Sequence, residues 1–344
     1  MEAWPGPHDE NWETVQQALA DAGLGDGLPV VPPTSARVDA ALRVAPVDGA
    51  ATVAVLPPSY ETVTWRDVAI NAVMAGCPPD CLAIVAAAVE AIAAPEFNLL
   101  GIATTTGSAT LCVIVNGPLA RAVRMNSGAN AFGPGNRANA TIGRAVRLTL
   151  QNCGGARPGE IDMATLGQPA KYTFCFAENT AESPWAPLHV DRGFSPDASV
   201  VTVVGVSGTI EVVDSESRTP GDLAQTFAQS MLIAGNVGGG GVLGGGEPLI
   251  VMPPELAEVF ARGGCIKAQA KAEIFQRALL PLERLAPAQR ERASAGGAAG
   301  DGHLRVARSA DDLMIVVAGG VGRKGAYVPT WSGGTKAVSR KVLS

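Results

Sequence analysis

The sequence predicts an α/β protein made of two similar α/β lobes, an internal duplication packed about a pseudo-twofold axis. Three observations predict it. Apolar residues make up 47% of the 344 and charged residues 17%, enough to bury a large core and too apolar for a disordered chain. Gly (41) and Pro (25) are plentiful while aromatic residues stand at 5%, the balance of an Ala/Val-rich chain with many tight turns. Two long stretches also repeat one order of elements. In the first, a helix over 81–94 leads to Asn98, the loop GIATTTGSA, the strand LCVIVNGP and a helix opening LARAV; in the second, a helix over 223–234 leads to Asn236, VGGGGVLGGGE, PLIVMPP and ELAEV. Downstream, KYTFCFAEN before SPWAPL matches DLMIVVAGG before GAYVPTW. The plainer reading, that helix, glycine loop and strand recur in any α/β protein, stays open.

In chain order, residues 11–22 have helical spacing and stop at Gly23. GDGLPVVPPT then reads as a turn and a Pro-locked extended segment, followed by a helix over 35–41. Residues 1–59 form an extension packing on a first lobe over 60–194, and 195–344 form the second lobe. Residues 287–303 (PAQRERASAGGAAGDGH) are small, polar and Gly-rich, the composition of a mobile insertion. The formal charge of −6 gives no broad attraction to nucleic acid or an anionic membrane. The apolar run 81–94 falls short of the roughly 20 residues that cross a bilayer. The opening MEAWPGPHDENWE lacks the basic start and apolar run of a secretory signal, so a cytoplasmic location is expected. Six scattered cysteines (Cys77, Cys81, Cys112, Cys153, Cys175, Cys265) without a CxxC pair, and three distant histidines, read as free thiols with no metal site and no cofactor.

Four segments can carry chemistry. In Met74-Ala75-Gly76-Cys77-Pro78-Pro79-Asp80, the prolines start the helix over 81–94, so Cys77 falls at or just before its N-cap. Unpaired N–H groups and the helix dipole favour a thiolate there, Asp80 opposes it, and Cys81 four residues on can resolve an oxidised Cys77. In the loop after Ala103, Thr104, Thr105, Thr106 and Ser108 cluster hydroxyls suited to an anion or a developing oxyanion, or simply satisfy one another. The glycine loop 237–247 allows close backbone approach but matches no phosphate-loop or dinucleotide pattern. In NSGANAFGPGNRANATIGRAVRLTL, a glycine-rich loop carrying Asn126 and Ser127 opens a helix with Arg137 near its first turn, the preferred anion site; Arg144 and Arg147 are expected to pair with surface carboxylates. Finally, CFAENTAESPW and AGGVGRKGAYVPTW leave equivalent strands, so Glu178, Asn179, Arg323 and Lys324 are expected at the crevice between the lobes. Glu178 is the candidate general acid or base, and His189 reads as a turn residue.

The runs DGLPVVPPT, INAVMAGCPP, FGPGNRANATIGRA and FCFAEN together resemble a family of uncharacterised bacterial proteins associated with selenoprotein or cysteine partners bearing a UGSC motif. The similarity covers most of the chain, which itself contains neither UGSC nor CGSC. The resemblance implies thiol-linked chemistry and a thiol or selenol partner protein, and it singles out Cys77. The leading functional expectation is an enzyme in which a Cys77 thiolate attacks a small anionic substrate held by Arg137 and the 104–108 loop, with Glu178 moving the proton. A second is a cofactor-independent lyase or hydrolase with the Thr/Ser loop as oxyanion site and Lys171 or Glu178 as proton carrier. A third is a non-catalytic binding subunit of a thiol or selenoprotein system. Self-association into a homo-oligomer is compatible with each.

Overall fold

The computed structural model of the chain describes residues 12–232, 246–295, 301–331 and 333–343. The described residues open with α1 (Trp12–Asp21), α2 (Ser35–Leu42) and a hairpin of β1 (Thr52–Leu56) and β2 (Glu61–Thr64). Thr34 caps α2 by accepting from the Arg37 amide, and its Val38 joins Leu19, Leu56 and Val63 in one apolar cluster. Next come α3 (Trp65–Met74), α4 (Leu82–Ile92), α5 (Leu99–Thr104), β3 (Thr110–Asn116), α6 (Pro118–Ala122), α7 (Arg137–Asn152), β4 (Cys175–Ala177), α8 (Leu188–Asp191) and β5 (Val200–Val206). The remainder is β6 (Ile210–Val213), α9 (Pro220–Leu232), β7 (Leu249–Met252), α10 (Pro254–Arg262), α11 (Lys267–Arg277), β8 (Leu279–Pro281), α12 (Pro287–Ala295), β9 (His303–Arg305), β10 (Met314–Val317), β11 (Lys324–Val328) and β12 (Val338–Lys341).

Among the described residues the longer strands form two four-stranded mixed sheets, ordered β12-β5-β3-β4 and β6-β11-β7-β10. In the first, β3 and β4 are parallel and the other pairs antiparallel; in the second, β7 and β10 are parallel and the other pairs antiparallel. Side chains alternate along a strand, so each sheet has two faces to cover. Leu111, Val113 and Val115 of β3 pack with Val68, Ile84 and Ile142 of α3, α4 and α7. Cys112 and Ile114, on the other face, pack with Leu249, Val251, Met314 and Val316 of the second sheet. Ile250, Met252, Ile315 and Val317 then meet Phe227, Phe260 and Ile274 of α9, α10 and α11. The result is four layers, helices on sheet on sheet on helices. It explains why β3, β5, β7 and β10 read as unbroken apolar runs rather than alternating ones: both faces are buried.

The strands β5 and β6 follow each other directly but lie in different sheets, and so do β11 and β12. Where the two crossings meet, Val206 bridges Thr330, and Ser207 N and Trp331 N donate to Pro329 O and Gly205 O. The boundary expected at 194/195 thus precedes a strand of the first sheet, to which β12 also returns. Gly117, at φ +93, turns β3 into α6 with the Ala198 carbonyl pressed against it, leaving no room for a Cβ. Within the stretch expected as a mobile insertion, Pro287–Ala295 is α12, with Ala293 buried, and His303 opens β9; residues 296–300 lie outside the described residues, as does most of the glycine loop 237–247. No described helix is long and apolar enough to cross a membrane.

Candidate functional site

Cys77 is placed by the way α3 ends. A capping box of Thr64 and Asp67 starts that helix, and Ala75 closes it. Gly76, at φ +77, supplies the left-handed residue that follows; its N–H donates to Val73 O at 2.8 Å and that of Cys77 to Ala72 O at 2.9 Å. This pair of bonds is a Schellman motif with Cys77 as its last member. Pro78 then caps a 3₁₀ turn, Pro79–Cys81, and Cys81 caps α4. Cys77 therefore stands just before the turn rather than on α4 itself.

Cys77 is 8% exposed and packs in the first apolar cluster. Its thiol is held below the ordinary cysteine value first by a hydrogen bond from the Cys81 thiol, against the cost of burial, with help from the Thr141 hydroxyl and the Arg137 charge and opposition from Asp80. Cys81, fully enclosed, is pushed far upward by the same contact and by burial, and its Sγ lies 3.9 Å from Asp80 Oδ1, toward which its proton can also point. The helix amides expected to stabilise the thiolate are replaced in that role by a thiol, a hydroxyl and a guanidinium. Burial pushes Cys112, Cys153 and Cys175 up, Cys153 to about 12.

Arg137 and Thr141 both come from α7. Asn136 caps this helix by accepting from Asn139 N, Arg137 is its first residue, and Thr141 lies one turn on along the same face. Arg137 Nε donates to Gly76 O at 2.9 Å, and its terminal nitrogens have no protein partner among the described residues. Thr141 Oγ1 donates its single proton to Arg137 O at 2.7 Å, so turning toward the thiolate gives up that bond. Thr141 was legible as Arg137 plus four; Cys81, read from the sequence as a resolving thiol, is a buried neighbour of Cys77 that keeps its own proton.

The other expected residues go elsewhere. Thr104 Oγ1 donates to Leu100 O at 2.8 Å, and Thr105 Oγ1 accepts from Gly107 N at 3.0 Å. Thr106 O accepts from Thr165 N, and Ser108 O from the Gln168 amide, so this loop closes on itself and on residues 165–168. Asn126 folds its own turn, Nδ2 to Ala129 O and Oδ1 from Gly128 N, while Ser127 O accepts from Gly319 N across the sheets. Asn139, which the sequence reading passed over, ties that loop to α7 through Asn126 and Ala131. Phe132 from the same loop stacks on Phe174 and Phe176 at 5.1 and 4.8 Å.

Glu178 follows β4, and its Oε2 accepts from Asn116 Nδ2 at 2.6 Å and from Leu188 N, the first amide of α8, at 2.8 Å. Its Oε1 is buried without a partner, and burial pushes the carboxyl upward against the pull of Lys267. Asn179 bonds Glu182 and sends its N–H to Val317 O of the second sheet. Arg323 is spent on Asp214 O and Ser217 O. Lys324 is exposed at the start of β11 and lines a cavity of about 350 Å³ with Asn130, Phe132 and Glu211. His189 is buried in α8, Nε2 against Pro196 O. The structure thus ties Arg137 to Gly76, the residue before Cys77, while Glu178 is held by Asn116 and α8. Comparison with protein-family models, curated proteins and solved structures returns no match.

Proposed function

We propose that the chain is a small-molecule enzyme of thiol chemistry in which Cys77 is the attacking thiolate and Arg137 receives a small anionic substrate. The observation that carries this reading is that Arg137 of α7 bonds the Gly76 carbonyl at 2.9 Å and so sets a cation beside the buried Cys77, whose thiol is drawn below the ordinary range by Cys81, Thr141 and the Arg137 charge. The sulfur attacks an electrophilic carbon or sulfur, a bond to Cys77 forms, and the leaving group departs with its electron pair. Arg137, anchored by one nitrogen and with its others unpaired, suits a carboxylate or phosphate near that bond. The hydroxyls of Thr104 and Thr105 are engaged with backbone, which weighs against the oxyanion-loop reading. Glu178 is read as the cap of α8 rather than a proton carrier. A thiol or selenol partner protein fits the same chemistry as the source or acceptor of the sulfur adduct.

For the architecture, we read the two sheets as products of an internal duplication about a pseudo-twofold axis. The support is their shared strand order and strand directions, and the reciprocal crossing of β6 and β12. The functional reading is tested by alkylation with iodoacetamide across pH, mapped by peptide mass spectrometry. Cys77 is expected to react first, with a midpoint below that of an ordinary thiol. A Cys77 that stays unmodified in the folded protein, or titrates at or above an ordinary thiol, overturns it.

A further inference from the structure

A second site lies on the far part of α7. Arg147, Asp162 and Lys171 meet on the wall of a cavity of about 610 Å³, within the range of small-molecule sites. Lys171 Nζ contacts both oxygens of Asp162 at 2.5 and 2.7 Å, and Arg147 Nη2 reaches Oδ2 at 3.4 Å while its Nε donates to Lys171 O. The three side chains are only 10, 5 and 15% exposed in the order Arg147, Asp162, Lys171. Two cations share one carboxylate away from bulk water. The neighbouring Asp26, which also lines the cavity and attracts Arg147, is itself paired with Arg144 through Nε and Nη2 at 2.7 Å each, so it leaves the total unbalanced. The cluster carries one positive charge in excess, and leaving such a charge buried is costly unless an anion meets it. Desolvation correspondingly pulls both Arg147 and Lys171 downward against the attraction of Asp162.

The rest of the wall carries Asp26, Gln151 and Gln168 together with an apolar stretch. Leu148, Pro158 and Pro169 line it, and Leu166 and Tyr172 stand at the cavity 94 and 47% exposed. A leucine left almost wholly in water beside a cavity is an apolar surface awaiting cover. From the cation pair and this wall together, we propose that the cavity binds a small monocarboxylate with an apolar body, the carboxylate meeting Arg147 and Lys171 and the body resting on Leu148, Leu166 and Tyr172. One surplus charge beside Asp162 matches a monoanion better than a phosphate, which carries ≈ −1.5 to −2 at neutral pH.

The proposal is independent of the thiol reading, and calorimetric titration of the intact chain tests it with benzoate, benzyl alcohol and inorganic phosphate as probes. Benzoate is expected to bind saturably with a Kd of about 1 mM or tighter, and benzyl alcohol and phosphate at least tenfold more weakly, roughly the worth of one charge-assisted bond. Lys171→Met, which leaves the Arg147–Asp162 pair, is expected to weaken benzoate about tenfold, and Lys171→Arg to restore most of it. Leu166→Glu, at a position too exposed to disturb folding, is expected to weaken benzoate by repulsion. Absent or non-saturable benzoate binding, equal binding of phosphate, or benzoate affinity unchanged in Lys171→Met and Leu166→Glu overturns the proposal.

Discussion

Arg137 Nε donates a 2.9 Å hydrogen bond to the carbonyl oxygen of Gly76, the residue immediately before Cys77. The bond pins a cation from the start of α7 onto the chain that carries the thiol, where it lowers the cysteine. Arg137→Met is therefore expected to raise the pH midpoint of Cys77 alkylation and to slow labelling at neutral pH roughly two- to fivefold, the effect of a partly exposed charge. Because the freed guanidinium nitrogens also draw anions, iodoacetate should lose more rate than iodoacetamide in this variant; equal losses would remove Arg137 from substrate recognition.

Cys81→Ala removes the neighbour that does most to lower Cys77. Its expected outcome is a larger upward movement of the alkylation midpoint than Arg137→Met gives, with about 1 kcal/mol of lost stability from the small cavity, read from urea unfolding. The stability linkage has a definite sign. A folded-state value below the unfolded one stabilises at pH above the unfolded thiol value of about 8.5, and the gain is lost as pH falls through the folded value. The Tm difference between the wild type and Cys77→Ala should accordingly widen in favour of the wild type from neutral to alkaline pH.

Glu178 runs the other way. Burial raises its folded value, so its contribution is full below the unfolded carboxyl value of about 4.3 and is lost as pH rises through the folded value. Glu178→Gln keeps an oxygen for Asn116 and Leu188 without the charge. Thermal unfolding is expected to show a higher Tm than wild type at neutral pH and a flatter profile between pH 4 and 7. A lower Tm at neutral pH would mean that the ionised form is the one the site is built for.

Contact between the sheets at the open end runs through Gly320, whose Cβ would lie 2.7 Å from Ala129 Cβ and 2.9 Å from Ala129 N. Gly320→Val is expected to cost about 1–3 kcal/mol in chemical unfolding by forcing the 126–136 loop outward. The same displacement lifts Phe132 from Phe174 and Phe176, which a limited proteolysis pattern cut within that loop would register.

The helix read over residues 35–41 is the observed Ser35–Leu42, and the run 81–94 contains α4, because spacing, a threonine cap and prolines are local signals. The return of β12 to the first sheet was not legible: it pairs β5 across more than a hundred residues, and the four-residue run VSRK carries no mark of its partner. The Cys77 position was visible in its glycine and prolines, and Arg137 in its glycine-rich lead-in. The partners of Glu178, Asn179 and Arg323 were not legible. Each follows a strand, as a catalytic residue does, and each makes a tertiary bond, to α8, to Val317 or to the 214–217 turn, that composition cannot announce.

The return of β12 to the first sheet has a consequence for biosynthesis. β5 is complete at Val206, but the strand that covers its outer edge starts at Val338. A chain emerging from the ribosome therefore assembles the whole of the inner β6-to-β11 unit while the earlier sheet still shows an uncovered row of amides and carbonyls, the kind of edge on which nascent chains aggregate. The pairing of β12 with β5 is what seals it.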